Sequence, residues 1–423
     1  MKKTVITLTM LALVAALVLT QMALHERDEG PGLIRERLAR IDTAIEAELA
    51  AGKIPGAVAL IRKNGDVVYK KSFGYADIDS QTPMQTDSIF RIASMTKAIT
   101  SVAAMMLYEQ GLFQLNDPLA KYIPEFAKMQ VISEVDGEGN IGATVPATKP
   151  IRIIDLLTHS SGVSYPFIPG KLQATYKASG VIDGLTSADV KLASQMKLLA
   201  EQPLLFEPGS EFAYGLSTDV LGYLVEVVSG KPLDEFFDEQ IFRPLGMTDT
   251  YFYLPDEKSG RLVTLYNDVD GEGLVAHQGS DIVEGVNDAL YPIVGAKSYF
   301  SGGAGLSSTA EDYARFLQML LNEGELDGVR ILGRKSVELM RTGRVDWDGD
   351  KIPDFGLGFV VVSDVGKRGE LSSVGSYAWG GAFNTVFWID PSEQLIAVYM
   401  SQARPTKSDL GDRFGTLVYQ ALE

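Results

Sequence analysis

Ten consecutive residues, Ala98 to Leu107, are apolar or small on every side (Ala-Ile-Thr-Ser-Val-Ala-Ala-Met-Met-Leu). A helix of that composition has no polar face to turn towards water, so it must lie inside a large core. Ser94 and Lys97 stand immediately upstream. Residues three apart share a helix face, so Ser94 Oγ and Lys97 Nζ can meet. Serine is favoured at a helix N-terminus, and Gly111 is well placed to end this helix. Burial disfavours an ammonium group, and a helix N-terminus favours negative charge on a nearby hydroxyl. The pattern therefore points to Ser94 as an activated nucleophile with Lys97 as its base. A second Ser-x-x-Lys, Ser194 to Lys197, lies in an amphipathic surface segment and is read as chance.

With 423 residues the chain can bury a large core as two domains, or as one with a big insertion. A formal charge of −17 argues against a phosphate-backbone partner, so no nucleic acid is expected. There is no cysteine, which excludes disulfides, thiolate metal sites and a cysteine nucleophile. Met1-Lys2-Lys3 followed by the apolar run Val5 to Leu19 reads as a signal peptide within residues 1–24. Gln21-Met22-Ala23 is a poor cleavage region, so an uncleaved N-terminal membrane anchor is the competing reading. Either way the remainder is expected to be periplasmic or secreted, or anchored facing the periplasm.

Leu33 to Leu49 has amphipathic helical spacing. Gly56 to Lys63 and Asp66 to Gly74 flank Asn64-Gly65, the strongest short hairpin signal. Further helices are predicted over Ile153 to Gly162, ended by the glycine, and over Leu216 to Val228, Ala310 to Leu321 and Leu410 to Leu422. Strands are predicted at Gly358 to Val362, Thr385 to Ile389 and Leu395 to Met400, the last two a hairpin around Asp390-Pro391. Strands near both ends with helices between predict an α+β fold. One antiparallel sheet, flanked by helices, would be built from about 33–95 and 300–423, with a mostly helical part inserted at about 96–299.

Other chemistry is poorly supported. His25, His159 and His277 have no metal-ligand spacing, and His159 is expected to make a structural hydrogen bond at a helix end. Asp346-Trp347-Asp348-Gly349-Asp350 resembles part of a calcium loop, but Lys351 and Leu357 occupy the positions of its required glycine and glutamate. It is read as a solvated turn, as are the acidic turns Val135 to Gly139 and Val269 to Gly273. No metal and no cofactor are expected.

Two more stretches give Ser94 a context. They are Tyr214-Gly215-Leu216, within Glu207 to Gly222, and Trp379-Gly380-Gly381-Ala382, within Tyr377 to Thr385. With Ser94-x-x-Lys97 they resemble, in order, the three motifs of serine β-lactamases and penicillin-binding proteins. The similarity is to the class C β-lactamase-like group, and within it to family VIII carboxylesterases. Asp155 to Gly162, Phe242 to Met247 and Gly302 to Ser308 support it. The resemblance implies a β-lactamase/transpeptidase-like fold with the site between sheet and helical part. It implies Ser94 as acylated nucleophile, and Lys97 and Tyr214 as proton-transfer groups. The backbone N–H groups of Ser94 and Ala382 would form the oxyanion hole, and Leu216, Trp379, Gly380 and Gly381 would contact substrate.

Two departures bear on that substrate. Where lactamases carry a lysine that pairs with the substrate carboxylate, this chain has Trp379. Where they carry an asparagine in Tyr-x-Asn, it has Leu216. Arg404 is a candidate replacement cation. The expectation is a serine hydrolase acting on small-molecule carboxylic esters with short acyl chains through an acyl-Ser94 intermediate. The alternatives are a weak class C-like β-lactamase or D-Ala-D-Ala carboxypeptidase acting on lactams or peptides, and a non-catalytic binder. The oligomeric state has no signal in the sequence.

Overall fold

The computed structural model describes residues 32–137, 140–279 and 288–423. The expected signal or anchor and His25 lie outside the described residues. Among the described residues, no helix is long and apolar enough to cross a membrane.

Helix α1 (Arg35–Ala50) buries Leu38, Ile41 and Ile45, spaced three and four apart, along one stripe. Strands β1 (Gly56–Lys63) and β2 (Asp66–Asp77) form the hairpin read from Asn64-Gly65. Both turn residues have positive φ, 54° and 89°, as a tight hairpin requires. Short strand β3 (Thr82–Pro83) continues the sheet outward. The other half comes from the far end of the chain: β4 (Val360–Val361), β5 (Tyr377–Gly381), β6 (Thr385–Asp390) and β7 (Leu395–Met400). The order across the antiparallel sheet is β4-β5-β6-β7-β1-β2-β3. The seam that joins the two ends is β1 against β7, from Val58 opposite Met400 to Lys63 opposite Leu395.

Side chains alternate across this sheet with period two. Ala57, Ala59, Ile61, Ala397 and Tyr399 face one way, towards a core shared with α1 and the last helix. Val58, Leu60, Val398 and Met400 face the other way, into the main core. That main core holds α2 (Thr96–Glu109), buried continuously from Thr96 to Leu107, and α3 (Ser217–Ser229). It also holds α4 (Ala310–Leu321), whose Thr309 side chain caps it by accepting from the Asp312 N–H. Helix α5 (Leu410–Tyr419) closes the chain on the opposite face.

The intervening part is less purely helical than expected. Short strands pair on either side of both acidic segments, Gln130–Val135 with Ile141–Pro146 and Tyr266–Val269 with Gly273–Ala276. The strands of the first are mostly exposed on both faces, so no apolar alternation marks them. The strand expected over Gly358 to Val362 is paired only at Val360–Val361. One main core runs from the sheet through α2 into the inserted part, with no break near residue 96 or 299.

Leu221 of α3 is fully buried in this core. Leu221→Ala is expected to lower unfolding free energy by about 2–5 kcal/mol. Denaturant titration checks this, and a loss below the low end would mean that α3 repacks around the cavity.

Candidate active site

The chain enters the site through Ile92 and a single 3₁₀ turn, Ala93–Met95, before α2 begins. Ala93 takes φ 43°, so the backbone turns sharply just ahead of Ser94. Ser94 is half-buried at the mouth of a cleft, while Lys97, one turn later, is 1% exposed. Lys97 Nζ donates to Gly303 O at 2.7 Å, to Tyr165 Oη at 2.9 Å and to Ser94 Oγ at 3.3 Å. Tyr214 Oη donates to Ser94 Oγ at 2.6 Å. Lys97 Nζ also lies 4.6 Å from the Tyr214 ring centroid and 5.2 Å from that of Tyr165. Three residues singled out in the sequence, Ser94, Lys97 and Tyr214, therefore meet at one point.

Close backbone approaches set this geometry. A Cβ on Gly215 would collide with Val163 O, so the segment after Tyr214 lies directly on the segment before Tyr165. A Cβ on Gly381 would collide with Ile92 O, so the end of β5 lies against the turn that carries Ser94. A Cβ on Gly303 would collide with Asp219 and come within 2.9 Å of Tyr165 Oη. Only glycine fits at these three places.

The cleft encloses about 730 Å³. Ser94, Tyr214, Trp379, Gly380, Gly381 and Ala382 line it. Ala382 opens the three-residue turn between β5 and β6, where Asn384 has φ 66°. The Trp379 ring packs at 5.6 Å from Tyr214, 5.4 Å from Phe355 and 6.0 Å from Trp347. With Phe212 these rings make an aromatic wall where a lysine was absent from the sequence motif.

Leu216 differs from expectation. It is fully buried in the main core, at the residue before α3, and does not line the cleft. A leucine side chain gains by packing inward there, whereas an amide would have had to find polar partners. Arg404 does not enter the cleft wall either; its guanidinium lies 5.4 Å over the Phe167 ring, which stacks on Tyr165 at 4.7 Å.

His159 is 1% exposed and far from any role as base. Its Nε2 lies 3.4 Å from Thr218 Oγ1, and its ring packs 4.9 Å from the Tyr214 ring. Burial, helped by the nearby Lys97 charge, holds its pKa well below the ordinary histidine value. It packs against Tyr214 as a neutral ring.

The sequence reading missed Tyr165, Asp219 and most of the aromatic wall. Tyr165 reaches Lys97 from 68 positions away and sits in an irregular segment, so no spacing announces it. Asp219 is fully buried on α3 and accepts from Ser301 Oγ at 2.6 Å. Burial pushes its pKa up to about 6, opposed by Ser301 and the Lys97 charge. Elsewhere, Asp346, Asp348 and Asp350 bring carboxylate oxygens within 4.8 Å of one another. Those oxygens accept backbone N–H groups of Gly349, Lys351, Asp350 and Ile352, as in an ordinary acidic turn.

An antiparallel sheet with a serine, a buried lysine and a tyrosine converging at its edge defines a serine hydrolase of the β-lactamase/transpeptidase-like fold. The profile of the Beta-lactamase family matches residues 41–420, and the chain belongs to that family. Esterase EstB of Burkholderia gladioli is 30% identical over 83% of this chain and 87% of its own length. Protein Rv1367c of Mycobacterium tuberculosis is 38% identical over 85% of this chain and 88% of its own. The solved structure of EstCE1, a hydrolase with promiscuous acyltransferase activity, superposes with a TM-score of 0.75 at 28% identity. It covers 91% of this chain and 98% of that one.

The His159 environment carries a pH signature. Its native pKa lies below the unfolded value near 6.5, so the stability that this group contributes is present above pH 6.5 and is lost as pH falls. His159→Asn keeps a side chain that tolerates the native φ of 53°. The stability gap between native protein and variant should shrink by about 1 kcal/mol between pH 7.5 and pH 5.5. Denaturant midpoints at the two pH values measure it, and a constant gap would mean that folding leaves the pKa of the imidazole unshifted.

Proposed function

We propose that the protein hydrolyses carboxylic esters through an acyl-Ser94 intermediate. The observation that carries this is the convergence of Tyr214 Oη and Lys97 Nζ on Ser94 Oγ beside an aromatic wall, in a cleft whose lining cation, Arg368, is already paired with Asp354. Ser94 Oγ attacks the ester carbonyl carbon. The hydroxyl proton passes to Lys97 Nζ, which accepts it as the neutral amine. The carbonyl oxygen, now anionic, is received by the N–H groups of Ser94 and Ala382. The C–O bond to the alcohol then breaks as Tyr214 gives its phenolic proton to the departing oxygen, and the proton held by Lys97 restores the phenol. Water attacks the acyl-serine by the reverse sequence, releasing the acid and restoring the Ser94 hydroxyl.

Three features support an ester over a lactam. Trp379 replaces a carboxylate-binding lysine, Leu216 replaces an amide-binding asparagine, and the wall opposite Ser94 is built of rings. Each lost polar contact of this kind is worth about 1–3 kcal/mol. The relatives include an enzyme named as an esterase. The reading of a weak β-lactamase or D,D-peptidase rests on the same Ser94, Lys97 and Tyr214 and lacks those two recognition groups. The basic, then apolar, N-terminal run supports a place of action outside the cytoplasm.

On purified protein, a chromogenic butyrate ester should turn over faster than a chromogenic cephalosporin; the opposite order overturns the ester reading. Ser94→Ala should lower esterase kcat by at least about 10³-fold. Tyr165→Phe removes one of the oxygens that hold Lys97 and should lower kcat by about 10-fold with little change in KM. A Tyr165→Phe effect confined to KM would place that hydroxyl in substrate binding instead.

A further inference from the structure

The catalytic cleft does not end at the sheet. Strand β4 pairs only with Tyr377 and Ala378, so the Trp379-Gly380-Gly381 end of β5 is a free edge. Side chains alternate along β5 and β6, and Ala378 and Val386 point to the face that α5 covers. On that side lies a second chamber of about 340 Å³. Val360, Arg368, Ala378, Val386, Gly411 and Asp412 line both spaces. The chamber therefore opens into the cleft around the glycine edge.

Its inner walls are mainly apolar, with Val362, Leu371 and Trp388 among them, and Leu371 is 59% exposed. Arg368 at the neck is already neutralised by Asp354 at 3.0 Å and Glu370 at 3.5 Å, so it does not demand an anion. The floor is α5, which presents Gly411 and Gly415. A glycine inside a helix costs roughly 0.5–1 kcal/mol relative to alanine. At Gly415 no crowding explains it: φ is ordinary, and an added Cβ would meet nothing within 4 Å. What a side chain there would do is fill the chamber.

We infer that this chamber is a subsite for the apolar tail of the ester, a medium-length alkyl chain that passes the Gly380–Gly381 edge from the catalytic cleft. The inference rests on the ester-hydrolase reading and adds the substrate class: esters with one long aliphatic arm. It goes beyond the sequence-based expectation of short acyl chains, which a response in the acyl arm below would replace. Transfer of such a chain from water to an apolar cavity is favourable for each methylene buried.

The test is a chain-length series on native protein, Gly415→Ala and Gly415→Phe. One arm uses p-nitrophenyl esters from acetyl to dodecanoyl. The other uses acetate esters of alkanols from butyl to dodecyl, followed by pH-stat. In at least one arm, kcat/KM of the native protein should rise from the shortest member to the eight-carbon member. Gly415→Phe should cut that preference by about 10-fold while leaving the shortest ester within two-fold, and Gly415→Ala should behave as native. The arm that responds tells whether the chain is acyl or alcohol. A folded Gly415→Phe protein with unchanged preference in both arms overturns the subsite, as do native rates that fall from the shortest member onwards in both arms. Loss of the ester reading is a different result, an absence of turnover for every chain length in all three proteins.

Discussion

A buried lysine amine must be given oxygen partners, and the site is built by meeting that demand. Lys97 is removed from water inside a core of apolar side chains, where an unpartnered ammonium would be very costly. Its partners arrive from three segments: Ser94 from the preceding turn, Tyr165 from the loop after Gly162, and Gly303 O from the segment ahead of α4. None of these segments is near another in sequence. The buried amine can be satisfied only when α2, the inserted part and the return to the sheet are all in place. Its environment is thus complete only in the folded chain.

The close glycine contacts follow from the same demand. Gly303 must come near enough for its carbonyl to accept from Lys97, which puts its Cα against Asp219 and Tyr165 with no room for a side chain. Gly358, with φ 94°, abuts Ser101 on the next turn of α2, where a Cβ would collide with the hydroxyl. The small side chain of Ser101 is what lets the backbone at Gly358 approach this closely. A bulkier apolar helix would have served the core equally well and would have held these neighbours farther off.

Local signals carried much of this into the sequence. The Asn64-Gly65 hairpin, the all-round apolar α2 and the glycine stops at Gly111 and Gly230 are short-range effects, and each appears where its pattern predicts. The three motif stretches meet because each has its own local rule, a helix turn, a helix start and a strand edge. Tyr165, Asp219 and the rings of Phe212, Trp347 and Phe355 obey no local rule. They are defined by what reaches them from far along the chain, and a tyrosine in an irregular loop looks the same whether it faces water or a lysine. Leu216 shows the opposite failure. Its place in a motif suggests the cleft, but an apolar side chain at the start of a buried helix turns towards the core.

The exchange of a cation for Trp379 changes more than one contact. A second ammonium near Lys97 would act against it by like-charge repulsion in a low-dielectric setting, so a site with both needs an anion to bind well. With an indole there, the cation that lines the cleft is Arg368, already paired with Asp354, so on the proposed ester reading the site asks for no charge from its substrate. Recognition then depends on shape and on contact with ring faces, which discriminate weakly between acyl groups of similar polarity. An enzyme so built has to obtain its selectivity elsewhere along the bound molecule. Past the Gly380–Gly381 edge the cleft shares walls with a second, mainly apolar chamber.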